Sequence, residues 1–147
     1  MSPVFLRFAF LLALAFTGAT SSLRVGAMSL TEVEADAVRQ VVIAQLRAFA
    51  EDDADSAFET ATPGVREAIG NSGRFLAMVR GAYPMVYRPA AVAFLKPEED
   101  AGLVLQMVRI TDGDDKSWIA LFALERQPDA SWRISGCVVA ANPWRSA

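Results

Sequence analysis

Two groups of side chains in this 147-residue chain could do chemistry. The first is a carboxylate with a tyrosine: Glu125 is the acid set inside a strand pattern, and Tyr83 and Tyr87 lie near the expected mouth of a cavity. An acid held against apolar walls has a shifted pKa, and beside a phenol hydroxyl it can move protons in isomerase or hydrolase chemistry. The second group is Arg80, Arg88, Arg109, Arg126 and Arg133 with Trp118 and Trp132. If several converge, forked guanidinium hydrogen bonds and aromatic stacking would hold an anionic ligand. Together these give Tyr83, Tyr87, Arg88, Trp118, Arg126 and Trp132 as candidate ligand-contacting residues. Plainer explanations compete with both groups. Glu125 lies between Leu124 and Arg126 and faces a strand carrying Arg133, so a cross-strand ion pair accounts for it. Each arginine can pair with an acid on the sheet rim, and the tryptophans can fill core or a dimer interface. No residue is assigned a catalytic role, and the balance leans away from an enzyme.

Absences narrow the chemistry further. The chain has no histidine and one cysteine, Cys137. A Ser-His-Asp triad, a Cys-His pair, a histidine-ligated zinc and a cysteine metal cage within one chain are therefore excluded. Asp112-Gly113-Asp114-Asp115 invites a calcium reading, but it lacks the Asp-x-Asp-x-Asp-Gly spacing and the distal glutamate of an EF-hand. A polar hairpin tip explains it better, and Glu98-Glu99-Asp100 reads as a solvated loop. No metal and no cofactor is expected. Cys137 sits in the apolar pattern Ile134 to Ala141, which favours a buried small hydrophobe over a free thiol.

The N-terminus reads as an address. Arg7 precedes an uninterrupted apolar stretch from Phe8 to Phe16, the form of a secretory signal peptide and too short for a membrane span of about 20 residues. Residues 1–27 are the expected leader, with cleavage after Ala19 (Thr17-Gly18-Ala19) or after Ala27 (Val25-Gly26-Ala27). The alternative is initiation at Met28, which would leave a cytosolic protein. The expected location is outside the cytoplasm, in a bacterial periplasm or beyond, with no stable membrane span once the leader is gone. The remaining stretch, residues 28–147, is long enough to bury one core without staples. Cleavage after Ala27 leaves 12 basic against 17 acidic residues, a net charge of −5. Without a basic run, nucleic acid and anionic membrane surfaces are poor partners.

The elements that must position these residues change period near residue 90. Thr31-Glu32-Val33-Glu34 is a capping box, followed by the stripe Val38, Val41, Val42, Gln45, Leu46 and Phe49 at helical spacing. Arg39 and Arg47 fall off that stripe and should be solvated. Glu51-Asp52-Asp53 breaks the helix and caps a short one carrying Ala57, Phe58 and Ala61. Thr62-Pro63 starts another, since proline suits a first helical turn. Gly70 to Gly73 reads as a loop, Phe75, Met78, Val79 and Tyr83 mark a further helix, and Pro84 and Pro89 bracket an extended segment. Four strands come next: Ala90 to Lys96, Leu103 to Thr111, Ser117 to Gln127 and Ser131 to Ala140. Asp112-Gly113 and Pro128 to Ser131 are turns, so the last three strands form an antiparallel meander. Both faces of the third strand are apolar. One side of the sheet should be covered, and the other paired or curved around a cavity. The fold class is α+β: N-terminal helices packed on a curved antiparallel sheet of about four strands.

At the residue level the chain resembles a known family. Gln45-Leu46-Arg47-Ala48-Phe49 with Asp52-Asp53 and Ala57-Phe58 is similar to the opening of the bacterial domain of unknown function 4864 family. So is the run from Phe75-Leu76-Ala77-Met78-Val79-Arg80 through Tyr83-Pro84 and Val86-Tyr87-Arg88-Pro89 to Val92 and Phe94. The end is similar too, with Trp118, Leu124-Glu125-Arg126-Gln127 and Ser131 to Cys137. The resemblance implies an exported protein in the nuclear transport factor 2-like (cystatin-like) cone superfamily, and it carries over no catalytic or binding residue. Phe122 stands where such sequences usually have tyrosine, and Ala130 where a turn glycine is usual, a change that should cost little. The expected function is a binding module for a small apolar or anionic ligand or a partner protein. A carboxylate–tyrosine cavity enzyme is one alternative, and a homodimerisation module is the other.

Overall fold

The computed structural model describes residues 30–143. Helix α1 (Glu32–Ala50) opens on the expected capping box: Thr31 Oγ1 accepts from the Glu34 N–H at 3.1 Å while Glu34 accepts from the Thr31 N–H at 3.0 Å. Its stripe Val38, Val42, Gln45, Leu46 and Phe49 is buried. Arg47 is exposed as expected, but Arg39 is half-buried with its Nε out of solvent, so that stem contributes to packing. Three short helices come after it, each with a side-chain N-cap: α2 (Ala54–Glu59) on Asp53, α3 (Pro63–Ile69) on Thr62, and α4 (Ser72–Ala82) on Asn71. The loop expected at 70–73 is shorter than its composition suggests. Asn71 caps the helix, so Ser72 and Gly73 already lie in its first turn.

The bracketing prolines do not hold an extended segment. Pro84 sits at the first position of a single helical turn, α5 (Pro84–Tyr87), where its missing N–H costs nothing. This turn buries Met85 and Val86.

The sheet has five strands rather than four. Strands β3 (Leu103–Thr111), β4 (Ser117–Arg126) and β5 (Trp132–Ala141) form the antiparallel meander, and β1 (Ala91–Phe94) pairs antiparallel with the far end of β3. The extra strand, β2 (Glu98–Asp100), pairs with Leu103 to Leu105 across Ala101 and Gly102. Both turn residues have positive φ, the type I′ geometry that matches strand twist. Alanine in place of the usual asparagine or aspartate hides this hairpin from a sequence reading.

The other two turns place the left-handed conformation on a residue other than glycine. In the 112–116 hairpin it falls on Asp115 (φ 61°), not Gly113, and in the 127–131 hairpin on Ala130 (φ 69°). Each is a three-residue loop whose last member is left-handed. Ala130 is therefore strained, and its cost is that of a side chain in a conformation glycine adopts freely.

One face of the sheet packs on the helices. Val104, Val108 and Ile110 of β3, with Ala120, Phe122 and Leu124 of β4, are buried there beside Trp132, Ile134 and Val139 of β5. The other face carries Leu105, Met107, Leu121 and Val138, of which Met107 and Val138 are exposed and Leu105 and Leu121 half-buried. Residues 60–62 bridge the β5 edge at one point: Ile134 N–H donates to the Thr60 carbonyl at 2.8 Å, and Thr62 N–H donates to the Ile134 carbonyl at 3.0 Å.

Candidate functional site

A bulge decides which residues of β5 face the helices. Leu124 pairs with Ile134 but Ala123 pairs with Gly136, so Ser135 is an extra residue. Strict alternation would put Ile134, Gly136 and Val138 on one face. The bulge instead turns Cys137 and Val139 inward with Ile134 and leaves Val138 43% exposed.

Between that face and the helices lies an apolar cavity of about 60 Å³. Helix α1 contributes Gln45 and Phe49, and α3 contributes Val65 and Ile69. Phe75 and Val79 of α4 continue into Tyr83 and Val86, while the sheet supplies Phe122, Ile134 and Cys137. Phe49 and Phe75 meet edge to face with ring centroids 5.3 Å apart, a rigid wall. No residue lining the cavity carries a charge. Since a water needs roughly 10–15 Å³, the space is large enough to admit a small molecule.

Its polar groups are few and held uncharged. Burial pushes the Cys137 thiol up to about 12, so it is a thiol and not a thiolate at neutral pH. Burial, and then the neighbouring Cys137, raise the Tyr83 hydroxyl above its ordinary value. Gln45, 4% exposed, donates from Nε2 to Thr60 Oγ1 at 2.9 Å, and Thr60 Oγ1 donates on to the Ala57 carbonyl at 2.6 Å.

Of the six candidate ligand-contacting residues, Tyr83 alone lines this cavity. Tyr87 donates its hydroxyl to Asp52 Oδ1, and Arg88 Nη2 reaches Asp52 Oδ2 at 3.1 Å while its guanidinium stacks 4.7 Å from the Tyr87 ring. The Trp118 indole N–H donates to Asp112 Oδ2 at 2.9 Å beneath Lys116. Arg126 lies 5.5 Å from the Trp132 ring and pairs with Glu34 at 3.4 Å. Tyr87 with Arg88 and Arg126 with Trp132 thus form two pairs, each tied to its own carboxylate, while Trp118 and Tyr83 stand apart from both.

Glu125 does not reach the cavity either. It faces Arg133 in the strand register, while the helix-facing side of β4 belongs to Ala120, Phe122 and Leu124. A carboxylate–tyrosine pair at the cavity therefore has no acid among the lining residues. Among the lining residues not named as candidates are Gln45, Phe122, Ile134 and Cys137. Gln45 left a signal: it is the polar member of an otherwise apolar stripe.

Among the described residues, no helix is long and apolar enough to cross a membrane, and no group of three or more Cys, Asp or Glu is placed to hold a metal ion. No curated protein matches the sequence. The model of one family, the domain of unknown function DUF4864, matches residues 31–147, and the chain belongs to that family.

Proposed function

We propose that this is an exported protein of the nuclear transport factor 2-like (cystatin-like cone) superfamily that holds a small apolar molecule between its helices and its sheet. The observation that carries the reading is the cavity itself: apolar walls, rigid aromatics and no charge, the makeup of a site for an uncharged ligand. Helices followed by an antiparallel sheet with a bulged last strand support the cone placement. The leader read in residues 1–27, which lie outside the described residues, supports export from a bacterial cytoplasm. An anionic ligand is disfavoured because no arginine or lysine lines the space.

A second reading rests on the sheet face turned away from the helices, where Met107 is 36% and Val138 43% exposed. Apolar side chains side by side on an antiparallel sheet fit a second copy of the chain.

Native mass spectrometry on protein recovered from the cells that make it, beside a denatured control, tests both readings. Extra mass lost on denaturation is the expected result. A bare monomer overturns both readings, and a bare dimer leaves only the second. The denatured mass also locates the mature N-terminus.

A further inference from the structure

The burial of the cavity walls is uneven, and the unevenness has a place. Of the residues that line the space, Val65, Ser135, Gly136 and Cys137 are half-buried and the others are buried. Those four face one another across a single gap, between α3 and the outer edge of β5, the last strand of the sheet. The gap opens just past the point at which residues 60–62 bridge that edge at Ile134. Helix α3 is the thin side of it. Ile69 is the one buried residue of its seven, and it packs on α4 and β5 more sparsely than the neighbouring helices pack on each other. A segment with so little buried apolar surface opens more readily than the core around it. Its two ends are fastened. Thr62 N–H donates to the Ile134 carbonyl at 3.0 Å while Thr62 Oγ1 caps the Val65 N–H at 3.3 Å. At the other end Arg74 Nη1 donates to the Ile69 carbonyl at 3.3 Å, and Gly70 turns the chain with φ 104°, a conformation glycine adopts freely.

We propose that the small apolar ligand enters between α3 and the β5 edge, and that α3 is the door, swinging out between Thr62 and Gly70 while the rest of the fold stays closed. The inference rests on the ligand-binding reading above and gives that site its way in. Short elements that cover a site and move on their end residues commonly gate access in this manner.

Cys137 stands at the gap and reports its opening. The full chain is labelled with methyl methanethiosulfonate, a small neutral thiol reagent. Thr62→Val removes the α3 cap and should speed labelling about fivefold, the scale of one lost cap. Thr31→Val removes the α1 cap, far from the gap, and should leave the rate within about twofold. Equal acceleration by both variants means that the thiol is reached by unfolding of the whole chain, and no acceleration by Thr62→Val means a route elsewhere. Either result overturns the door and leaves the cavity reading standing. Hydrogen exchange in the unaltered protein needs no variant. The Arg66 and Gly70 amides, bonded to the Thr62 and Arg66 carbonyls at 3.0 and 2.9 Å, should exchange at least tenfold faster than those in the middle of α1. Equal exchange also overturns the door. Xenon dissolved under pressure probes the cavity separately and should shift the methyl signals of Val65, Val79 and Ile134. If it shifts none of them, the cavity reading fails and the door with it.

Discussion

Cys137 shows how one residue reports on the whole site. Alone in the chain, it is turned inward by the Ser135 bulge and surrounded by apolar side chains that raise its thiol from 9.0 to about 12. The thiolate is the reactive form, and three pH units of displacement lower its population about a thousandfold at a given pH. With Ellman's reagent at pH 8, the native protein should therefore react at least a hundredfold more slowly than the urea-unfolded chain. A bound cavity ligand should slow it further. A native rate close to the unfolded one would place the thiol at the surface and remove one wall of the site. The scattered candidates make the complementary point. Arg88, Arg126 and Trp118 each find a carboxylate within their own neighbourhood, Asp52, Glu34 and Asp112 respectively. Residue type announced their chemistry correctly, but strand and helix periods say which face a side chain takes and not how far along the sheet its neighbours lie.

At the scale of elements, the join between α1 and α2 carries the least expected device. Asp52 N–H donates to the Phe49 carbonyl at 3.1 Å and Asp53 N–H to the Ala48 carbonyl at 2.8 Å, a Schellman ending with aspartate at the left-handed position (φ 55°) where glycine is usual. The carboxylate explains the choice, since it ties Tyr87 and Arg88 and so fastens α5 to the end of α1. Asp52→Gly relieves the backbone but frees α5, two effects of about 1 kcal/mol each with opposite sign. Its net change should stay within about 0.5 kcal/mol. Asp52→Ala keeps the strain and loses the tie, and should cost about 1–2 kcal/mol in urea unfolding. An alanine variant as stable as the glycine one would refute the strained clamp. Much of this level was legible beforehand: the capping box of α1, the proline start of α3 and the bounds of β3 come from local rules. The features that escaped depended on neighbours. The turn at Pro84 is helical because α1 and β3 bury Met85 and Val86, and β2 exists because Ala101 tolerates a positive φ. Tyr83 was legible as the continuation of Phe75 and Val79 along one helical stripe, whereas Cys137 needed a bulge that no alternation pattern announces.

Across the whole molecule, the absence of histidine and the placement of the shifted groups set how stability depends on pH. Four carboxylates sit below their ordinary values: Glu34 through the Thr31 N–H, Asp53 through Ser56, Asp112 through the Trp118 indole, and Asp129 through Ser131. Each caps a helix or braces a turn, so acid acts on the joints of the fold rather than its core. A carboxylate held more acidic in the folded state stabilises above its unfolded pKa, and that contribution disappears as pH falls through the lowered value. With ordinary values of 3.8 and 4.5, the loss begins below about pH 4.5. Cys137 and Tyr83 act in the opposite direction. The unfolded thiol ionises near 9.0 while the folded one keeps its proton to about 12, so stability falls as pH rises across that interval. No side chain has an ordinary pKa between those limits, because histidine is the residue that would. The urea midpoint should therefore be flat from about pH 5 to about pH 8.5 and fall on both sides. Asp112→Asn should flatten part of the acid limb and Cys137→Ala part of the alkaline one, each leaving the opposite limb unchanged. A midpoint that climbs steadily through the plateau would mean that a proton is taken up or released there by a group outside this set, and the joints-and-core division would be wrong.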